Sequence, residues 1–126
     1  ALGFSANLGS AADFTARATF AKNLFEVAGV ATTAGPGAVD PAELVAQLDA
    51  SGATIACVCS NDRTYAELGV AAAQALRDHG VDALYLAGRP RDVVDDLRAA
   101  GVDVFVTAGA DIEEILADLL TRLQVA

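Results

Sequence analysis

Ala53-Thr54-Ile55-Ala56-Cys57-Val58-Cys59-Ser60-Asn61-Asp62 decides the fold. Its first seven residues carry no charge and are small, apolar or β-branched, and it then breaks into a polar turn. A strand that keeps one face wet alternates apolar and polar residues; a run apolar on both faces is a central parallel strand covered by helices on both sides. Full burial of Ile55 and Val58 is worth ~1.5–3 kcal/mol each. In open α/β sheets ligands lie outside the carboxyl ends of the strands, so Ser60, Asn61 and Asp62 are the first candidates for a site.

Working outward, strand signals alternate with helix signals. Leu2 to Leu8 reads as a first strand, and Ser10 with Asp13 opens a helix by a capping-box-like pair. Along that helix Phe14, Ala18, Ala21 and Phe25 form one stripe, with Phe20 and Leu24 beside it, and Gly29 ends it. Val30 to Thr33 is a short, hydroxyl-bearing strand suited to an edge. Asp40, Pro41 and Glu43 open a second helix with inner residues Leu44, Val45 and Leu48, stopped by Gly52. After the central strand, Asn61 or Asp62 caps a third helix with Tyr65, Leu68, Gly69, Ala72 and Leu76 inward. Ala83 to Ala87 is a fourth strand, and Val93, Val94 and Leu97 line a fourth helix. Val102 to Thr107 is a fifth strand, and Asp111 with Glu114 caps a last helix carrying Ile115, Leu116, Leu119 and Leu123.

Five βα units with right-handed crossovers predict an α/β fold, a flavodoxin-like doubly wound five-stranded parallel sheet with helices on both faces. Strand order 2-1-3-4-5 places the weak second strand at an edge and the switch point between strands one and three. The 126 residues fit one domain, 1–126. The absence of methionine and the immediate apolar start suggest a piece cut from a longer chain.

Seventeen acidic against eight basic side chains leave a formal charge of -9, which disfavours nucleic acid and anionic bilayers as partners. No apolar run approaches the ~18 residues of a membrane span, so a cytoplasmic location is expected. Cys57 and Cys59 stand at i and i+2 of one strand, with Cα atoms ~6.5 Å or more apart, near the limit for a disulfide. Two reduced core thiols are the simpler reading.

The switch point draws on three loops: Asn7 to Asp13, Ser60 to Arg63, and Ala87 to Pro90. A receiver domain would need an acidic cluster after strand one, an Asp ending strand three and a Lys after strand five. Asn7-Leu8, Ser60-Asn61 and Thr107-Ala108-Gly109 stand there instead. A flavodoxin phosphate loop needs several hydroxyl donors, and Gly9-Ser10-Ala11-Ala12 offers one, followed by Asp13. The dinucleotide Gly-x-Gly-x-x-Gly is absent. His79 falls at a helix C-terminus, where an imidazolium suits the dipole, far from the candidate loops. The Asp92, Asp95, Asp96 and Asp111, Glu113, Glu114 groups read as solvated faces and helix starts. No nucleophile–base pair, carboxylate pair or metal-ligand cluster emerges.

The run from Ser5 to Glu26, with Ala56 to Tyr65 and Leu86-Ala87-Gly88, resembles the C-terminal cobalamin-binding-like domain of the methylmalonyl-CoA mutase small (beta) subunit. The resemblance covers essentially the whole chain. In the cobalamin-binding domain of the large subunit, Asp-x-His-x-x-Gly after strand one supplies the cobalt ligand. Laid on that pattern, Ala12 stands at the Asp, Phe14 at the His and Arg17 at the Gly. The Ser-x-Leu after strand three falls on Cys59, Ser60 and Asn61, and the Gly-Gly after strand four on Ala87 and Gly88.

The resemblance therefore implies a domain that binds no cofactor and performs no catalysis itself, inside an isomerase. Its partners would be the mutase large subunit, which holds adenosylcobalamin and interconverts methylmalonyl-CoA and succinyl-CoA, and the N-terminal part of its own chain. A functional cobalamin-binding module with a remodelled, His-less site is the alternative, and a flavodoxin-type small-ligand sensor a third reading. Phe14 is expected to be a core residue, so that Phe14→Ala would cost the ~3–5 kcal/mol of a core aromatic truncation.

Overall fold

The uncharged run contains a five-residue strand, β3 (Ile55–Cys59), none of whose residues is more than 2% exposed. The computed structural model describes residues 2–107, 113–115, 117–118 and 121. β3 pairs in parallel with β1 (Leu2–Asn7) on one side and β4 (Ala83–Ala87) on the other. β2 (Ala31–Ala34) and β5 (Val104–Val106) flank these, giving the order 2-1-3-4-5. The edge strand β2 has no buried residue, as its hydroxyl-rich composition predicts. Three predicted boundaries shift: β1 ends at Asn7, with Leu8 making an isolated bridge to Ala38, β2 runs one residue later, and β5 is confined to three residues.

Four helices fill the connections: α1 (Ala11–Val27), α2 (Pro41–Ser51), α3 (residues 62–79) and α4 (Val94–Ala100, entered through a 3-10 turn at Arg91–Val93). Asp40 caps α2 by accepting the Ala42 N–H at 2.9 Å, and Asn61 caps α3 by accepting the Thr64 N–H at 2.8 Å. Within α3, Tyr65–Gly69 is wound as a π segment, which the apolar period does not reveal. Residues 113–115, 117–118 and 121 are helical. Glu114 is among them, but the predicted cap at Asp111 and the inner residues Leu116, Leu119 and Leu123 lie outside the described residues. None of the helices among the described residues is long and apolar enough to cross a membrane.

Alternate strand residues build two cores. Phe4, Ala6, Val58, Leu84 and Leu86 meet Leu44, Leu48, Leu76 and Leu97 on one face. On the other, Ile55, Cys57, Cys59 and Tyr85 meet Ala21, Leu24 and Phe25 of α1, with the Phe25 and Tyr85 rings edge to face at 5.3 Å. Phe14 corrects the sequence reading. It lies on the predicted stripe but is only half-buried and belongs to neither core, because the first turns of α1 overhang the polar ends of β1 and β2.

Candidate functional site

The carboxyl ends of β1 and β3, where the strand order reverses, are bridged by side chains from α1 and α3. Ser10 caps α1, and both its N–H and its Oγ donate to Asp13 Oδ2 at 3.0 Å. Those two bonds hold the Asp13 carboxyl below the usual carboxylate range, against a smaller opposing effect of desolvation. Asn61 Nδ2 donates to the other oxygen, Oδ1, at 3.1 Å, so the N-termini of α1 and α3 are tied across the switch point.

Beneath that tie, Ser60 is fully buried. Its Oγ donates to the Leu8 carbonyl at 2.8 Å, and its N–H donates to Tyr65 Oη at 2.8 Å. The phenol in turn donates to the Ala87 carbonyl at 2.5 Å, joining the ends of β3 and β4 through one side chain. Burial, with the nearby Cys59 thiol, pushes the Tyr65 phenol well above its ordinary value, so it stays a neutral donor. Sequence reasoning placed Tyr65 on the inner face of α3 but gave it no further role. The one available signal was a tyrosine five residues after Ser60, where the polar turn that ends β3 begins.

Arg17 closes the crevice. Its Nη1 donates to the Ser60 carbonyl at 3.0 Å and to Asp62 Oδ1 at 2.7 Å, and its Cζ lies 5.5 Å from the centroid of the Tyr65 ring. The guanidinium lies over Gly88, where φ is +112° and a Cβ would come within 2.7 Å of Arg17 Cζ. Beside it a cleft of about 430 Å³ remains open between Arg17, Phe20, Gly88, Arg89, Val106 and Thr107.

The other predicted positions scatter. Ala12 is exposed on the first turn of α1, and Ala87 contributes only its carbonyl to Tyr65. Cys59 points into the α1-side core with its Sγ 3.9 Å from that of Cys57, and both thiols are free. Contact with Cys59 and burial push the Cys57 thiol well above its ordinary value. His79 sits at the C-terminal end of α3 with Nε2 2.7 Å from Asp49 Oδ1. Asp92, Asp95, Asp96, Glu113 and Glu114 are exposed, and Asp111 lies outside the described residues. No group of three or more His, Cys, Asp or Glu side chains among the described residues is placed to hold a metal ion.

Residues 42–122 match the family model described as dinitrogenase iron-molybdenum cofactor. The chain is 44% identical over 123 residues to the methylmalonyl-CoA mutase small subunit of Streptomyces virginiae and 35% identical over 125 residues to that of Propionibacterium freudenreichii subsp. shermanii. A probable methylmalonyl-CoA mutase small subunit of Mycobacterium bovis is 37% identical over 117 residues. The first two matches cover 98% of this chain and the third 92%, but only 18–19% of each relative, so the chain spans about a fifth of their length. Among solved structures, a CheY-like protein (tadZ) of Pseudomonas aeruginosa PAO1 superposes with a TM-score of 0.69 at 21% identity. That match covers 98% of this chain and 93% of the other, a likeness of fold alone.

Proposed function

We propose, on the premise that the chain belongs to the family described as dinitrogenase iron-molybdenum cofactor and is a relative of methylmalonyl-CoA mutase small subunits, that it is a supporting domain without a cofactor of its own. In this reading it belongs to a longer small subunit in the cytoplasm. It pairs there with a large subunit that carries adenosylcobalamin and isomerises methylmalonyl-CoA and succinyl-CoA.

One observation carries the reading: the chain's own Arg17 and Tyr65 occupy the switch-point crevice, with Arg17 bonded to Ser60 and Asp62 over the backbone of Gly88. Neither cofactor suggested by the relatives finds donors there. An iron-molybdenum cluster calls for thiolate or imidazole ligands at an accessible edge. Cys57 and Cys59 are buried in the sheet, away from any accessible edge, and His79 stands at the C-terminal end of α3 with its Nε2 2.7 Å from Asp49 Oδ1. Cobalt ligation from below needs a neutral imidazole held by a partner group, and Phe14 and Ala12 supply neither.

Titration with adenosylcobalamin or hydroxocobalamin is expected to leave the cofactor's absorption spectrum and the protein's melting temperature unchanged. Saturable binding with a Kd near ~1 μM, about -8 kcal/mol, overturns this reading. It would favour the second one, a cobalamin-binding module without a histidine ligand, for which the open cleft of about 430 Å³ beside Arg17 speaks.

A further inference from the structure

Most of the basic side chains among the described residues are engaged. Arg17, Lys22, Arg63 and Arg77 each face a carboxylate, and the Arg98 guanidinium lies 5.4 Å from the centroid of the Phe105 ring. Arg89 and Arg91 are the exceptions. Both are exposed, and neither makes a hydrogen bond, ion pair or ring contact among the described residues. Acidic side chains outnumber basic ones seventeen to eight in this chain, so two unpaired arginines two residues apart do not reflect a shortage of carboxylates.

The turn between β4 and α4 sets them side by side. It leaves the carboxyl end of β4, where ligands of open α/β sheets lie, and passes through the buried Pro90, whose ring fixes the backbone between the two arginines. The first turns of α3 stand across from it, and between the two segments lies a cleft of about 310 Å³ lined by both arginines. Pro90, Val93 and Ala66 give that cleft an apolar side. Two carboxylates also reach it and decide its charge. Asp62 is already bonded to Arg17 at 2.7 Å, which leaves Asp92 against two arginines and a surplus of one positive charge.

Each guanidinium presents a planar fork of N–H donors that matches the oxygens of a carboxylate or a phosphate. A carboxylate brings two acceptor oxygens and a single charge. A phosphate monoester brings three and ~1.5–2 negative charges near neutrality, enough to engage both forks against the opposing charge of Asp92. We propose that this cleft binds a small phosphate monoester, its phosphoryl group held by Arg89 and Arg91 and its organic part resting on Pro90 and Val93. Arg89 also borders the open cleft beside Arg17, but Arg91 does not, so the two sites separate at Arg91.

The test is to titrate the isotopically labelled chain, at constant ionic strength, with glycerol 3-phosphate and inorganic phosphate, and with acetate as a monoanionic comparison, following backbone amide shifts. Saturable shifts centred on Arg89, Arg91 and Val93 and reaching Ala66 are expected for glycerol 3-phosphate, with a Kd of about 1 mM, ordinary for so few atoms. The chain's formal charge of -9 repels phosphate overall, so saturation would report the local site. Arg91→Gln and, independently, Arg89→Gln should weaken binding at least tenfold, each in a variant whose remaining spectrum is native. Shifts that grow linearly and spread over the surface, an equal response to acetate, or binding unchanged in either folded variant would overturn the proposal. A cobalamin response that persists in Arg91→Gln would count against the cofactor-free reading of the Arg17 crevice and not against this site.

Discussion

Tyr65→Phe removes one oxygen and little volume, so its effect isolates the hydrogen bonds at the ends of β3 and β4. The side chain is fully buried, and the lost oxygen leaves the Ser60 N–H without its acceptor at 2.8 Å and the Ala87 carbonyl without its donor at 2.5 Å. Each buried group left unpaired costs ~1–3 kcal/mol. The carbonyl, with two lone pairs, falls at the low end, so the total is about 2–4 kcal/mol. At roughly 4 °C per kcal/mol for a chain of this size, the melting temperature should fall by roughly 8–16 °C. Urea unfolding should show a lower midpoint with an unchanged slope. The phenol also has a pH signature. Its folded value is raised above the ordinary 10.0, so the unfolded chain loses the proton first. Stability is therefore fully present below pH ~10 and declines as pH climbs beyond it. Tyr65→Phe should remove that share of the alkaline loss. A midpoint within about 0.5 kcal/mol of the wild type, or an unaltered alkaline limb, would refute this account of Tyr65.

The remaining predictions concern neighbours of the same edge. Native Cys57 and Cys59 should react with a thiol reagent far more slowly than in denaturant, since both are buried and Cys57 is held neutral; fast labelling of the folded chain would contradict it. Phe14→Ala should cost about 1–2 kcal/mol in chemical unfolding, less than the ~3–5 of a core aromatic, because the ring is half-buried. A loss above 4 kcal/mol would restore Phe14 to the core. Gly88→Ala should destabilise by about 1–3 kcal/mol through its φ of +112° and the approach to Arg17. Arg17→Ala in the same chain should return only the steric part, and a double-mutant cycle that shows strict additivity would argue against the contact.

The strands were legible because burial on both faces leaves a plain mark: Ile55 to Cys59 and Ala83 to Ala87 are uncharged runs, and each is buried throughout. Edge status was equally plain in Ala31 to Ala34, whose threonines suit a strand with one neighbour. Phe14 shows where periodicity stops. Spacing states that Phe14, Ala18, Ala21 and Phe25 share a helix face, but not whether sheet lies beneath all of it. Under Phe25 it meets Tyr85, while near Phe14 it ends in Ser5, Asn7 and Gly35.

The site was harder still to read, for a reason of distance along the chain. Arg17 is one charged residue on the first helix, and nothing local in the sequence says what it grips. Its acceptors, Ser60 and Asp62, lie 43 and 45 residues away, and Gly88 under it is further yet. The Tyr65 bond to Ala87 likewise depends on the relative heights of β3 and β4, which side-chain pattern does not encode. Composition and period thus predict which layer a residue joins. Which polar atoms meet at the layer's edge is decided by register, and there Arg17 and Tyr65 convert a crevice open in the fold's plan into one held by the chain's own side chains.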